Sequence, residues 1–171
     1  MTLKKGTAYP RTQPQLASRD LNKSRCEMIT VITYGTFDLF HIGHLRLLER
    51  AASLGDRLVV GVSTDEFNLG KHKECVHPYE ERAAIVGALK MVDEVFSEHS
   101  WDQKIRDVKK FGADVFIMGS DWEGEFDFLK EYCRVVYLTR TPNVSTTERK
   151  KLIASGEVPL SRWTAHDGGA A

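Results

Sequence analysis

The residues best placed to do chemistry lie in Tyr34-Gly35-Thr36-Phe37-Asp38-Leu39-Phe40-His41-Ile42-Gly43-His44. An apolar run (Ile29, Val31, Ile32) leads into this segment, and an amphipathic stretch from Leu45 to Leu54 leaves it. The pattern predicts a strand, a tight turn and a helix start, where free backbone N–H groups can hold a phosphate. His41 and His44 stand three residues apart, so both can face one ligand from the first helical turn. Imidazole N–H donors held there can stabilise charge developing on a phosphoryl group. Two other readings stay open: histidines that only support structure or face solvent, and a metal pair completed by Asp38. No further His, Cys or carboxylate stands at helical ligand spacing to complete such a metal set.

A second constellation is Arg140-Thr141-Pro142-Asn143-Val144-Ser145-Thr146-Thr147, which follows the apolar run Val135–Leu138. Ser145 with Glu148 three residues later reads as a capping box. Those residues can simply start a helix, but Arg140 beside hydroxyls at a helix start also makes a phosphate cradle. Two such cradles in one sheet suggest a triphosphate held between two helix starts. A third feature, the loop Gly70-Lys71-His72-Lys73, follows the second strand beyond Asp65. Its lysines are either solvated or able to neutralise reacting phosphates, and Arg82 can clamp a phosphorylated substrate in the same way. Asp121, in Met118-Gly119-Ser120-Asp121-Trp122, stands where a base is recognised or where a turn is capped.

The elements that position these residues follow from the wider pattern. Leu58–Val62, Val115–Met118 and Val135–Leu138 are continuous apolar runs, suited to strands covered on both faces. Between them, Leu45, Leu48, Ala51, Ala52 and Leu54 stripe one helix, and Pro78 opens another running to Leu89. Trp101, Ile105, Val108 and Phe111 stripe a third, closed by Gly112. Strand alternating with helix predicts a doubly wound α/β parallel sheet. Ligands of such sheets sit beyond the C-terminal strand ends, where the histidine turn falls.

Composition bounds the remaining possibilities. The chain has 171 residues, 24 Lys and Arg against 24 Asp and Glu, and a formal net charge of zero. No global field therefore draws it to nucleic acid or to a membrane surface. No apolar run reaches bilayer length. Cys26, Cys75 and Cys133 are widely spaced and odd in number, which points to a reducing, cytoplasmic setting. Residues 1–27 are polar and aperiodic and are expected to be a disordered extension, with Met28 a candidate start. Residues 28–155 carry the folded domain, and 156–171 form a polar tail.

Taken together, these motifs resemble the glycerol-3-phosphate cytidylyltransferase family of the HxGH nucleotidyltransferase superfamily. The likeness runs from about Met28 to Ala154. It includes the histidine turn, Ser63 to Asn68 (STDEFN), Val92 to Val95 (VDEV), Met118 to Gly124 (MGSDWEG) and Arg140 to Thr147 (RTPNVSTT). The resemblance implies a Rossmann-like fold and the reaction of CTP with sn-glycerol 3-phosphate to CDP-glycerol and pyrophosphate. It further implies Mg²⁺ held mainly through the CTP phosphates, a homodimer, and a product destined for teichoic acid or a related polymer.

By matched position, His41 and His44 would stabilise the transition state, with Lys71 and Arg140 beside them as catalytic groups. Thr36, Phe37, Asp38, Gly43, Ser145 and Thr146 would form the phosphate side of the nucleotide site, and Asp121 with Thr141 the base side. Lys73, Arg82 and Asp65 would serve the acceptor. Two departures stand out: Lys90 where relatives usually carry arginine, and Ser120 where an aspartate often precedes Asp121. Another phosphoalcohol acceptor (ethanolamine phosphate or a pentitol phosphate), an adenylyltransferase and a non-catalytic nucleotide-binding module are the competing readings.

Overall fold

The four apolar runs all form strands, and a fifth joins them. In a computed structural model, residues 28–142 and 144–156 are described; the expected extension at 1–27 and all but the first residue of the expected tail lie outside them. Strand β1 (Thr30–Gly35) leads into helix α1 (Ile42–Ala52), then β2 (Arg57–Ser63) and the short helix α2 (Asp65–Gly70). Helix α3 (Tyr79–Gly87), β3 (Glu94–Glu98), α4 (Gln103–Phe111) and β4 (Val115–Gly119) follow. Two 3₁₀ turns, Ser120–Trp122 and Asp127–Glu131, precede β5 (Arg134–Leu138) and α5 (Thr146–Ser155).

All pairings are parallel, in the order β3-β2-β1-β4-β5. The chain winds outward from β1 to β3, then crosses back to lay β4 on the other side of β1. That reversal puts the topological switch point between β1 and β4. Successive strand residues enter opposite cores, as a sheet covered on both faces requires. Val31, Val60 and Ile117 join a cluster with Leu48 and Ala51 of α1 and Val86 of α3. Ile32, Val59 and Phe116 join another with Val108 of α4 and Leu129.

The expected elements shift in places. Strand β3 has only Val95 and Phe96 as apolar residues, too short a run to stand out; its pairing of Glu94–Glu98 with Val59–Ser63 supplies the missing signal. Pro78 is the N-cap of α3 rather than a first-turn residue, and that helix ends at Gly87. Trp101 lies before α4, which starts at Gln103.

Gly61 shows how the sheet accommodates a buried tyrosine. Tyr34 pairs with Gly61 across β1 and β2, and a Cβ on Gly61 would lie 2.4 Å from Tyr34 Cδ1 and 2.9 Å from Phe96 Cζ. The tyrosine hydroxyl is fixed at its far end by Asp107 Oδ2 (3.1 Å), so the ring has no slack. We expect Gly61→Ala to destabilise the fold by roughly 1–3 kcal/mol, the usual cost of overpacking. Urea unfolding would read this as a lower midpoint at unchanged slope.

Candidate functional site

At the switch point a cavity of about 500 Å³ opens between the β1–α1 turn, the ends of β4 and β5, the 72–75 loop and α5. Among the expected residues, Thr36, Phe37, Asp38, His41, Gly43, His44, Lys73, Asp121, Arg140, Thr141, Ser145 and Thr146 line it.

The histidine turn is tightly wound. Phe37 and Leu39 sit at φ of 55° and 46°, the left-handed region that non-glycine residues avoid. His41 is the N-cap of α1, and its Nδ1 accepts from the Gly43 amide (3.1 Å). A Cβ on Gly43 would fall 2.9 Å from the His41 ring, so the close return of that ring requires glycine. The two imidazoles stack with centroids 3.8 Å apart and 14° between planes. The Gly43 amide is therefore capped by His41 itself and not left free, which corrects the expectation of open N–H groups there.

Protonation follows from these contacts. Because His41 Nδ1 accepts, its proton sits on Nε2, which faces Thr146 Oγ1 at 3.3 Å. The Thr146 hydroxyl in turn reaches the Asp38 carbonyl (3.2 Å). His41 is lowered from its usual range by burial and by the Arg149 charge. His44 is pushed down to about 3, first by burial and then by the stacked His41. His44 Nδ1 is buried without a hydrogen bond to any described residue. The pair is thus neutral at physiological pH, a donor set rather than a second positive charge.

Asp38 holds the site together. Its carboxylate is buried and accepts from the amides of Val76 (3.0 Å) and His77 (3.0 Å). Lys150, from α5, pairs with its Oδ2 at 2.8 Å. Burial raises the Asp38 carboxyl, but the Lys150 hydrogen bond and the two amides outweigh it and leave the carboxyl below its ordinary value. With its oxygens so committed, Asp38 is not a third metal ligand beside the histidines. Among the described residues, no group of three or more His, Cys, Asp or Glu is arranged to hold a metal ion.

At the second constellation, the helix start falls where the sequence suggests. Ser145 caps α5 by accepting from Glu148 N (3.1 Å). Arg140 and Asp121 meet each other across the cavity mouth at 3.0 Å, both more than half exposed. An exposed pair of this kind contributes little by itself and can exchange partners when a ligand arrives.

Three expected residues stand apart from the cavity. Arg82 is fully buried and donates to the carbonyls of His77 (3.0 Å), Thr36 (2.6 Å) and Ser63 (2.8 Å), and to Asp65 Oδ1 (2.6 Å). Its fork closes the ends of β1 and β2, so the acceptor-clamp role expected of Arg82 and Asp65 gives way to a structural one. Lys71 folds away from the cavity lining: its Nζ donates to Ser63 Oγ (3.2 Å) and lies 3.8 Å from the Phe67 ring centre. Burial lowers the Lys71 amine to about 8, opposed by Glu98.

Sequence reading missed two cations. Arg50 lines the cavity and donates to the Thr139 carbonyl (2.8 Å), and Lys150 lines it one turn after Thr146. The i, i+4 spacing of Thr146 and Lys150 was the available signal, since it puts both on one face of α5.

The neutral histidines carry a pH dependence. The folded His44 pKa lies below the unfolded value near 6.5, so the unfolded chain binds the extra proton between pH 6.5 and about 3. Its contribution to stability is present above pH 6.5 and is lost as pH falls through that window. We expect the His44 ring resonances in an NMR titration to stay those of neutral imidazole from pH 8 to 5; a midpoint near 6.5 would contradict the burial described above.

Comparison with known proteins agrees with this geometry. A relative named glycerol-3-phosphate cytidylyltransferase from Bacillus spizizenii is 59% identical over 128 residues, covering 75% of this chain and 99% of that protein. Another of the same name from Staphylococcus aureus is 55% identical over 124 residues, covering 72% of this chain and 94% of that protein. The crystal structure of the lipopolysaccharide core biosynthesis protein from Thermoplasma volcanium GSS1 superposes with a TM-score of 0.58 at 28% identity, over 67% of this chain and 97% of that one. Residues 32–152 match the model described as cytidylyltransferase-like, and the chain belongs to that family.

Proposed function

We propose that this protein transfers the cytidylyl group of CTP to sn-glycerol 3-phosphate, giving CDP-glycerol and pyrophosphate. The observation that carries the nucleotidyl-transfer reading is the stacked, half-buried His41–His44 pair. It closes against the α5 N-terminus in a cavity that Arg140 and Lys73 also line. The choice of acceptor is supported by the names of the relatives that are more than half identical to this chain.

In this reaction an oxygen of the acceptor phosphate forms a bond to the α-phosphorus of CTP. The bond from that phosphorus to the α,β-bridging oxygen breaks, and its electron pair leaves with pyrophosphate. A phosphate monoester has its second pKa near ~6, so its attacking oxygen is already ionised at neutral pH and no general base is needed. Catalysis rests on alignment and on donors already in place as charge shifts to the leaving group. Neutral His41 and His44 suit that task, because each offers an N–H without adding a charge that must be desolvated. Arg140, Ser145 and Thr146 hold the triphosphate, Thr36, Phe37 and Gly43 shape the turn around it, and Asp121 with Thr141 faces the base.

Lys73 is the lysine placed to meet phosphate directly, while Lys71 stands behind it at the end of β2. The described residues present no cage for Mg²⁺, and the cation is proposed to come with the triphosphate oxygens, as its chemistry prefers. The same reading takes the protein as a cytoplasmic homodimer whose product feeds teichoic acid or a related glycerol phosphate polymer. Light scattering in solution would then give twice the mass of the 19.4 kDa chain, and a monomer would remove the dimer from the reading.

The decisive assay is CTP-dependent pyrophosphate release with a panel of phosphorylated alcohols. Glycerol 3-phosphate is expected to be the preferred acceptor. Preference for ethanolamine phosphate or a pentitol phosphate would replace the substrate and keep the chemistry, and preference for ATP would establish an adenylyltransferase. Tight CTP binding with no turnover on any acceptor would identify a binding module. His44→Ala should lower kcat by about 10²–10³, the scale of one lost transition-state donor, while the variant still folds and unfolds cooperatively.

A further inference from the structure

Lys150 has no part in the residue assignments above, yet it connects three segments of the site. Its Nζ pairs with Asp38 Oδ2 at 2.8 Å and donates to the Glu74 carbonyl. Two of its three N–H donors are thereby spent. Asp38 in turn accepts from the amides of Val76 and His77, so Lys150 and Asp38 together grip residues 74–77 from both sides. That segment directly follows Lys73, which lines the cavity. One turn earlier on α5, Thr146 contacts both the Asp38 carbonyl and His41 Nε2. The same helix face therefore touches the histidine turn through Thr146 and the lysine loop through Lys150.

The start of the loop is tied to α2 by the Lys73 amide, which donates to the Asn68 carbonyl (2.9 Å), and its end is tied to Arg82 through the His77 carbonyl (3.0 Å). His72 adopts a left-handed φ of 57°, and Val76 is 58% exposed. Between those two ties, Lys150 holds the Glu74 carbonyl and Asp38 accepts from the Val76 amide. A carboxylate this buried also needs a cation to remain ionised and accept from two amides.

We propose that Lys150 is a positioning residue of the triphosphate site: through Asp38 and the Glu74 carbonyl it seats the 72–77 loop, and with it Lys73, against the histidine turn. The proposal rests on the nucleotide reading given above for its kinetic consequence, but its structural consequence can be measured without turnover. Lys150→Met keeps the length and removes the charge; Lys150→Arg keeps a donor cation. The side chain is about one-third exposed on the last helix of the described chain, so neither change removes core packing.

Hydrogen exchange on the ligand-free protein is the first readout. Amides of the 74–77 segment should exchange about tenfold faster in Lys150→Met, the scale of one lost charge-assisted hydrogen bond, while amides of β1 and β4 stay protected. Lys150→Arg should restore most of that protection. Kinetically, Lys150→Met should raise KM for CTP by about tenfold with kcat within about twofold. In a double-mutant cycle, Lys73→Met should cost less in the Lys150→Met background than in the wild type, because a loop already released has less to lose.

Unchanged exchange at 74–77 would overturn the proposal even if KM rises, since Lys150 would then act by touching the triphosphate. Additive effects of the Lys73 and Lys150 substitutions would overturn it equally. Inactivity of the wild type with CTP would count against the nucleotide reading alone and leave the exchange result to decide the positioning role.

Discussion

The carboxylate of Asp38 is the constraint on which the site depends. A carboxylate withdrawn from water is costly unless its charge is met, and here one ammonium and two backbone amides meet it. Those partners come from α5 and from the loop before α3, elements separated by more than 70 residues of chain. The balance of burial against pairing leaves Asp38 ionised, and an ionised Asp38 fixes where the loop and the helix stand. The histidine turn supplies the carboxylate, so that turn, the loop and α5 are held together by a single group. The left-handed residues Phe37 and Leu39 on either side of it are the local backbone strain of that arrangement.

Cations at the C-terminal edge of the sheet divide into two classes by what they meet. Arg140, Lys73 and Lys150 face the cavity, whereas Arg82 and Lys104 are buried within the fold. Strands that end at a switch point leave carbonyls without a ladder partner, and a planar guanidinium can satisfy several at once. Arg82 does this for Thr36 and Ser63. Lys104 pairs with Glu98 beneath the aromatic rings of Tyr34 and Trp101, and Lys71 approaches the same Glu98 through Ser63. A polar chain therefore runs behind the end of β2, holding Lys71 near but outside the cavity lining.

Neutral histidines fit a nucleotide site better than charged ones would. Two imidazolium rings 3.8 Å apart would repel each other, and burial beside Phe37 and Phe40 removes the water that would screen them. Arg140 and Lys73 bring positive charge to the same cavity, while the imidazoles bring directed N–H groups. The Gly43 amide fixes the His41 tautomer, so the glycine between the histidines has a chemical task as well as a steric one.

Much of this was legible in the sequence, because it depends on local spacing. Continuous apolar runs fix a two-sided parallel sheet, the three-residue spacing puts both histidines at the start of one helix, and Ser145 three residues before Glu148 caps another. Edge strand β3 escaped because its two apolar residues gain meaning only from pairing with β2. Arg82, Asp65 and Lys71 were legible as charged residues at the correct sheet edge. Whether a charge at that edge faces ligand or closes the fold is decided by which carbonyls and carboxylates lie within about 3 Å, and sequence distance carries no record of that. The same holds for Lys150, whose partner lies 112 positions away in the chain yet 2.8 Å away in space. The sequence determined which chemistry was available and on which turns it would stand; only the tertiary structure decided which of those charges a nucleotide could meet, because burial and pairing are properties of the assembled sheet edge.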